Sequence, residues 1–242
     1  EGVFSAVEEN PIKRFHGQKG QWYCYPAKIG ESLAYIYFNV DYLVNGIALS
    51  NLFELASPDE VEGQKPDLIL LFGLEKTEGM VSHYYLDKKN KIWVGEVPYT
   101  DKTTYFGYMK KMCLTLHNLH QINNGRLPIH GSMLKIRFTN GKEKNVVFFG
   151  DSGAGKSESI EALQEIADDK IVDMETIFDD MGSFTIGDDG KLYAQGTETG
   201  AFVRLDDLSS AVAFNNMDRG VYLNPERQNA RVIIPADTYE HV

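Results

Sequence analysis

The 242-residue sequence lacks several features that mark particular classes of protein. Its only cysteines, Cys24 and Cys113, have neither disulfide-framework nor metal-motif spacing, so we expect a reducing, cytoplasmic compartment. There is no signal peptide and no apolar run near the ~18 residues of a membrane-spanning helix, which predicts no membrane partner. Basic residues are scarce too: 24 Lys and Arg against 35 Asp and Glu give a net charge of −11, which argues against a nucleic-acid partner.

What the sequence does contain is a strand that leads into a glycine-rich turn and a helical pattern. The apolar run Val146–Phe149 predicts a buried strand, and Gly-x-x-x-x-Gly-Lys-Ser follows it directly. In this context the pattern is typical of a P-loop, whose backbone N–H groups surround the phosphates of a nucleotide such as ATP. Lys156 would reach the β- and γ-phosphates, and the Ser157 hydroxyl would bind Mg²⁺. The predicted nucleotide-binding residues are Gly150, Asp151, Ser152, Gly153, Ala154, Gly155, Lys156 and Ser157.

The strand that enters this loop is predicted to come from a β-hairpin. Met133–Phe138 alternates apolar and polar residues, Thr139–Lys142 contains the turn-forming Asn-Gly pair, and Asn145–Phe149 returns. In common NTPases that strand is reached through a crossover connection, so a hairpin indicates a particular P-loop lineage.

The preceding sequence predicts a mixed α/β region followed by an amphipathic helix. Strands are expected at Gln21–Tyr25, Leu33–Asn39 and Leu68–Phe72. From Tyr105 the apolar residues follow helical spacing, and the helix should end at Asn123-Asn124-Gly125. Lys110 and Lys111 fall outside the apolar stripe, which by pattern alone favours a solvated face.

The residues after the loop offer acidic and basic candidates. Ile171-Val172-Asp173 predicts a short buried strand that ends in a carboxylate able to hold Mg²⁺, whereas Asp179-Asp180 is interpreted as a turn. Two further strands carry Arg204 and Arg231. A strand arginine near a P-loop could neutralise a transferring phosphoryl group, or it could pair with a neighbouring aspartate at the sheet edge.

Five segments together resemble the ATP-dependent phosphoenolpyruvate carboxykinases. The similarity is collinear from about residue 104 to the C-terminus, and residues 1–100 contain no alignable motif. It implies a mixed α/β fold: residues 1–124 form a mixed N-terminal region and 125–242 a P-loop domain. The start at Glu1 and the missing adenine-contacting segments indicate a divergent or truncated member, cut from a longer protein. The matching segments are Thr104–Lys111, His130, Phe148 to the P-loop, Ile171–Phe184 and Gln228–Pro235.

The resemblance also implies roles for individual residues. Lys111 and His130 would bind Mn²⁺, Asp173 would support the nucleotide-bound Mg²⁺, and Tyr105 would face the substrate. Lys110 and Arg231 would contact the transferring phosphoryl group, and Arg204 lies near the place of a phosphate-contacting lysine. The implied reaction converts oxaloacetate and ATP to phosphoenolpyruvate, ADP and CO₂, so a small oxaloacetate-like molecule is the expected partner.

Two departures keep other functions open. The family's third Mn²⁺ ligand, an aspartate, aligns with Met174, and a thioether does not replace a carboxylate for a hard cation. The loop itself, Gly150 to Glu158, is more similar to that of HPr kinase/phosphorylases. The alternatives are therefore a kinase that phosphorylates a hydroxyl group of a protein or small molecule, and a nucleotide-binding module without catalysis.

Overall fold

A computed structural model describes residues 4–75, 80–150, 163, 170–207, 218–223 and 230–235 of the chain. The fold is mixed α/β, as predicted, and strands dominate the described residues. No helix in these ranges has both the length and the apolar character needed to cross a membrane.

The described elements are fifteen strands, three α-helices and four single 3-10 turns. The strands are β1 Ser5–Ala6, β2 Trp22–Ile29, β3 Ser32–Asn39, β4 Glu54–Leu55, β5 Leu68–Leu74, β6 His83–Asp87, β7 Ile92–Pro98, β8 Leu127–Phe138, β9 Glu143–Phe149, β10 Ile171–Phe178, β11 Met181–Ile186, β12 Leu192–Gly196, β13 Gly200–Arg204, β14 Val221–Leu223 and β15 Arg231–Pro235. The helices are α1 Leu43–Ala48, α2 Pro58–Val61 and α3 Phe106–Asn123, and the 3-10 turns are Pro11–Arg14, Val40–Tyr42, Leu49–Asn51 and Leu205–Asp207.

These elements form two compact units. The first comprises Glu1–His120 together with Thr199–Thr238, and the second is centred on Gln121–Glu198. The predicted boundary after residue 124 lies close to the first division, but the last three strands group with the N-terminal residues. Their attachment is local: the Thr199 N–H donates to Leu52 O at 2.8 Å, and Asn51 Nδ2 donates to Ile233 O at 3.0 Å.

The first unit is built on a seven-stranded mixed sheet in the order β1-β6-β7-β5-β3-β2-β4. Its central strands β3, β5 and β7 run parallel, and they carry the predicted apolar runs at Leu33–Asn39 and Leu68–Phe72. Glu96 on β7 is fully buried, and it accepts from Arg14 Nη2 at 2.7 Å and lies 3.0 Å from His83 Nδ1. A buried carboxylate requires such partners. The contact between Arg14 and Glu96 therefore attaches the N-terminal segment to the sheet.

Helix α3 packs against this sheet at Gly95. A Cβ placed there would lie 2.9 Å from Met112 Cγ and 3.0 Å from Leu116 Cδ1, so the glycine permits the close approach of the helix. The apolar stripe predicted for α3 is therefore its buried face. Lys111 is exposed, as the pattern indicated, whereas Lys110 is only 8% exposed, so the solvated position expected from the pattern is wrong for Lys110.

The second unit is organised around the long strand β8. Strand β9 pairs with one edge of its C-terminal half, which confirms the predicted hairpin, and the turn places Gly141 at φ 78°. The other edge of β8 pairs with β10 and then with β11. This unit contains a small hydrophobic cluster in which the buried side chains of Met133, Phe178 and Phe184 pack together.

Candidate functional site

The strand that leads into the predicted P-loop ends beside the middle of β8. Phe148 pairs with Ser132 and Phe149 pairs with Gly131, immediately before Gly150. A Cβ at position 131 would lie 2.4 Å from the Phe148 carbonyl oxygen, so only glycine allows the two strands to approach this closely. Val146–Phe149 is less buried than predicted, and Phe149 is 63% exposed; among the described strands β9 pairs only with β8.

On the opposite edge of β8, two aspartates interrupt an otherwise continuous strand. Phe178 pairs with Met133 and Met181 pairs with His130, so Asp179-Asp180 lies opposite Gly131-Ser132 without a change of register, just after the bulge at Ile177. Asp180 has φ 72°, a left-handed conformation that non-glycine residues adopt at a cost of about 1–2 kcal/mol. Asp179-Asp180, interpreted from sequence as a turn, is therefore a strained bend between two strands that continue in one direction, and strained backbone positions often lie at functional sites.

Both aspartates contact residues of the central β8 segment. The Ser132 hydroxyl donates to Asp179 Oδ1 at 2.5 Å, and His130 Nε2 lies 3.2 Å from Asp180 Oδ1. The backbone joins the same two segments, since the Gly131 N–H donates to Asp180 O at 3.0 Å. Neighbouring strands lie about 4.8 Å apart, so only roughly 10 Å separate the end of β9 from this carboxylate pair. We call the group formed by His130, Ser132, Asp179 and Asp180 the bulge cluster.

Asp173 lies elsewhere on the same sheet. It is in the middle of β10, where Arg137 Nη2 donates to its Oδ2 at 3.1 Å, and neighbouring Val172 is 58% exposed. The prediction of a short buried strand that ends in this carboxylate is therefore wrong. At about 3.3 Å per strand residue, roughly 20 Å of β8 separate Arg137 from His130. The structure does not bring Asp173 and His130 together.

Three predicted site residues of the first unit meet around one aromatic ring. Lys110 Nζ lies 5.7 Å from the centroid of the Phe202 ring, and Arg231 Cζ lies 5.5 Å from it. Tyr105 and Phe106 complete the surroundings, with ring centroids 6.0 and 5.2 Å from that of Phe202. We call this group the Phe202 cluster. Two cations therefore lie on one ring in a chain of net charge −11, and the charge of Arg231 also acts on the carboxylate of Asp206.

The other basic candidates have different surroundings. Arg204 donates to Asp206 Oδ2 at 2.8 Å, which is the sheet-edge pairing considered above. The pKa of Asp206 is lowered first by a hydrogen bond from its own backbone N–H and then by the bond from Arg204. Lys111 Nζ lies 5.5 Å from the centroid of the Phe4 ring. The predicted phosphate-binding residues from Asp151 to Ser157 lie outside the described ranges, whereas Gly150 lies within them.

The described residues limit what kind of metal site the chain could provide. In these ranges no group of three or more His, Cys, Asp or Glu side chains could enclose a metal ion. The bulge cluster instead offers two carboxylates, a hydroxyl and an imidazole near the strand that leads to the loop. Mg²⁺ bound to a nucleotide needs only one or two protein carboxylates, because phosphates and water complete its coordination. The donor set of the bulge cluster fits such an ion.

Comparison with known proteins identified no family model that matches the chain and no significant match among curated proteins.

Five residues of these clusters were not predicted as site residues from sequence: Phe106, Ser132, Asp179, Asp180 and Phe202. The Asp-Asp pair itself was a visible signal, since adjacent carboxylates are common cation ligands, but its position opposite His130 depends on strand pairing. Nothing in the sequence indicates a site role for Phe202, because aromatic residues in apolar strands are usually buried in a hydrophobic core.

Proposed function

We propose that the chain is an ATP-dependent phosphotransferase of the carboxykinase type, which acts on oxaloacetate or a similar small keto acid. The observation that carries the proposal is the position of His130-Gly131-Ser132. One neighbour of this segment is the strand that leads into Gly-x-x-x-x-Gly-Lys-Ser, and the other is a strained pair of aspartates. A phosphate-binding loop beside carboxylates is the arrangement that phosphoryl transfer from a metal–nucleotide complex requires.

In this proposal the second unit binds the nucleotide. The backbone N–H groups of Gly150–Ser157 surround the phosphates, and Lys156 neutralises charge on the β- and γ-phosphates. Asp179 and Asp180 would hold the nucleotide-bound Mg²⁺, and His130 is a candidate to bind Mn²⁺. When bound, such ions would neutralise phosphate charge and orient the transferred group.

The Phe202 cluster in the first unit binds the anionic substrate. Lys110 is nearly buried, so its ammonium group interacts with an anion more strongly than a fully solvated lysine would. Arg231 adds a second positive charge, and Tyr105 adds a hydroxyl that can donate a hydrogen bond. In the carboxykinase reaction these groups would stabilise the enolate that forms when CO₂ leaves, and its oxygen would then accept the γ-phosphoryl group.

The decisive experiment measures ADP formation by the purified chain with ATP and Mn²⁺, in the presence and absence of oxaloacetate. The proposal expects ADP and phosphoenolpyruvate to form together only when oxaloacetate is present, and Lys156→Ala to abolish both products. ADP formation at a rate that does not depend on oxaloacetate would favour the alternative of a kinase, which the similarity of the predicted loop to that of HPr kinases suggests. Nucleotide binding without turnover under any condition would indicate that the chain is a nucleotide-binding module without catalysis.

A further inference from the structure

One corner of the first unit, Asn51-Leu52, is bonded to all three of the last strands. The Thr199 N–H, just before β13, donates to Leu52 O at 2.8 Å. The two protons of the Asn51 side-chain amide are both used, because Nδ2 donates to Arg219 O at 2.7 Å and to Ile233 O at 3.0 Å. Arg219 lies just before β14, and Ile233 lies within β15. The amide of Asn51 therefore holds two of these strands at once.

The backbone of this corner is itself fixed by its neighbours. Leu49, Leu52 and Phe53 are all 0% exposed, so the chain on both sides of Asn51 is packed in the core. The Asn51 main-chain carbonyl also lies so close to Gly200, at the start of β13, that a Cβ at position 200 would overlap it. The Asn51 amide is consequently a fixed point to which β14 and β15 are attached.

Two of the attached strands carry one side of the Phe202 cluster. Phe202 lies two residues after Gly200, which places it roughly 7 Å along β13 from the corner. Arg231 lies the same distance along β15 from Ile233, and Ile233 pairs directly with Phe202. A shift of β15 at the corner would therefore change the distance of Phe202 and Arg231 from the other side of the cluster. That side comes from the start of α3 and the residue before it: Tyr105, Phe106 and Lys110.

We infer that Asn51 is a positioning residue that sets the distance of Phe202 and Arg231 from Lys110. As a statement about substrate binding, this inference rests on the proposed function, in which the Phe202 cluster binds the keto acid. The side chain of Asn51 acts through main-chain carbonyl groups, one of which belongs to the fully buried Ile233. A displacement of about 1 Å at a site can lower catalytic efficiency by up to about 100-fold, so the attachment of these strands matters for the reaction.

The test follows the position of Lys110 relative to the Phe202 ring by NMR of the full chain, isotope-labelled at lysine Cε. Lys110→Met assigns the Lys110 signal, and Phe202→Leu gives the chemical shift of that signal without the ring current of the phenylalanine. In Asn51→Ala the signal should move at least halfway from its position in the unmodified chain towards its position in Phe202→Leu. Asn90→Ala is the matched control, because the Asn90 amide also donates a hydrogen bond, to Asp87 Oδ2 at 2.8 Å in the β6–β7 turn. The Lys110 signal should not move in this control.

The outcomes separate this inference from the proposed function. A Lys110 signal that stays at its original position in Asn51→Ala overturns the positioning role, whether or not the chain is active. If the chain converts oxaloacetate, Asn51→Ala should also lower kcat/KM for oxaloacetate about 10- to 100-fold, and unchanged kinetics would refute the role in substrate binding. If the chain does not act on oxaloacetate, the proposed function fails and the NMR result alone decides the positioning role.

A second variant covers the case in which Asn51→Ala loses its native circular dichroism spectrum. Asn51→Ser keeps one side-chain donor and so removes one of the two hydrogen bonds. In a folded Asn51→Ser, a Lys110 signal that moves towards its position in Phe202→Leu supports the inference, and a signal that does not move overturns it.

Discussion

The energetic importance of the Phe202 cluster can be measured by a double-mutant cycle that combines Phe202→Leu with Lys110→Met. Leucine keeps most of the apolar volume but removes the ring, and methionine keeps the length of the lysine but removes its charge. Each single substitution also disturbs other contacts of its residue. The coupling free energy of the cycle isolates the interaction between the ammonium group and the ring.

The structure sets the expected magnitude. Cation–π pairs contribute about 0.5–1 kcal/mol when exposed and about 2 kcal/mol when desolvated. Lys110 is 8% exposed and its Nζ lies 5.7 Å from the ring centroid, so we expect a coupling of about 1–2 kcal/mol with Phe202. Arg231 is only half-buried, so a second cycle with Arg231→Gln should give about 0.5–1 kcal/mol.

Urea unfolding followed by tryptophan fluorescence is the appropriate assay. Trp22 and Trp93 are the only tryptophans, and both belong to the first unit, as does the Phe202 cluster, so the signal reports on the unit that is perturbed. Coupling free energies within about 0.3 kcal/mol of zero, the usual limit of additivity, would refute the reasoning. In that case the two cations would lie near the ring without a stabilising interaction.

Three further outcomes are expected. Gly131→Ala should force β9 away from β8, because the new Cβ would meet the Phe148 carbonyl oxygen. Amide hydrogen exchange should then become faster in β9, and ATP binding should weaken. Unchanged protection of the β9 amides from exchange would contradict the close approach of the two strands. The hydrogen bond from Lys28 lowers the pKa of Glu60 from 4.5 to about 2, so its stabilising contribution is complete above pH 4.5 and is lost as the pH falls towards 2. Acid titrations should therefore show Glu60→Gln losing less stability than the unmodified chain in that window. Cys113 is buried with a raised thiol pKa, so a thiol reagent should modify it only after urea unfolding; rapid modification in the native state would contradict its burial.

Much of the sheet structure could be predicted because its signals are local. The Asn-Gly turn and the alternating residues on either side specify the β8–β9 hairpin without reference to the rest of the chain. The helical spacing from Tyr105 likewise predicts α3, whose buried stripe packs on the sheet. Lys110 departs from the pattern because its burial is set by the aromatic neighbours in its unit, and Phe202 lies far away in sequence.

The acidic residues show why the candidate site was harder to predict than the fold. Sequence spacing favoured Asp173, which follows two aliphatic residues, and thereby aligned Met174 with the expected third metal ligand. In the structure Met174 pairs with Ile136, and the carboxylate beside His130 belongs to Asp180. That contact depends on the bulge at Ile177, which sets the register in which the end of β10 and β11 pair with β8, and a bulge shifts register without a strong sequence signal. Position 174 therefore lies away from His130, whose acidic neighbour is Asp180.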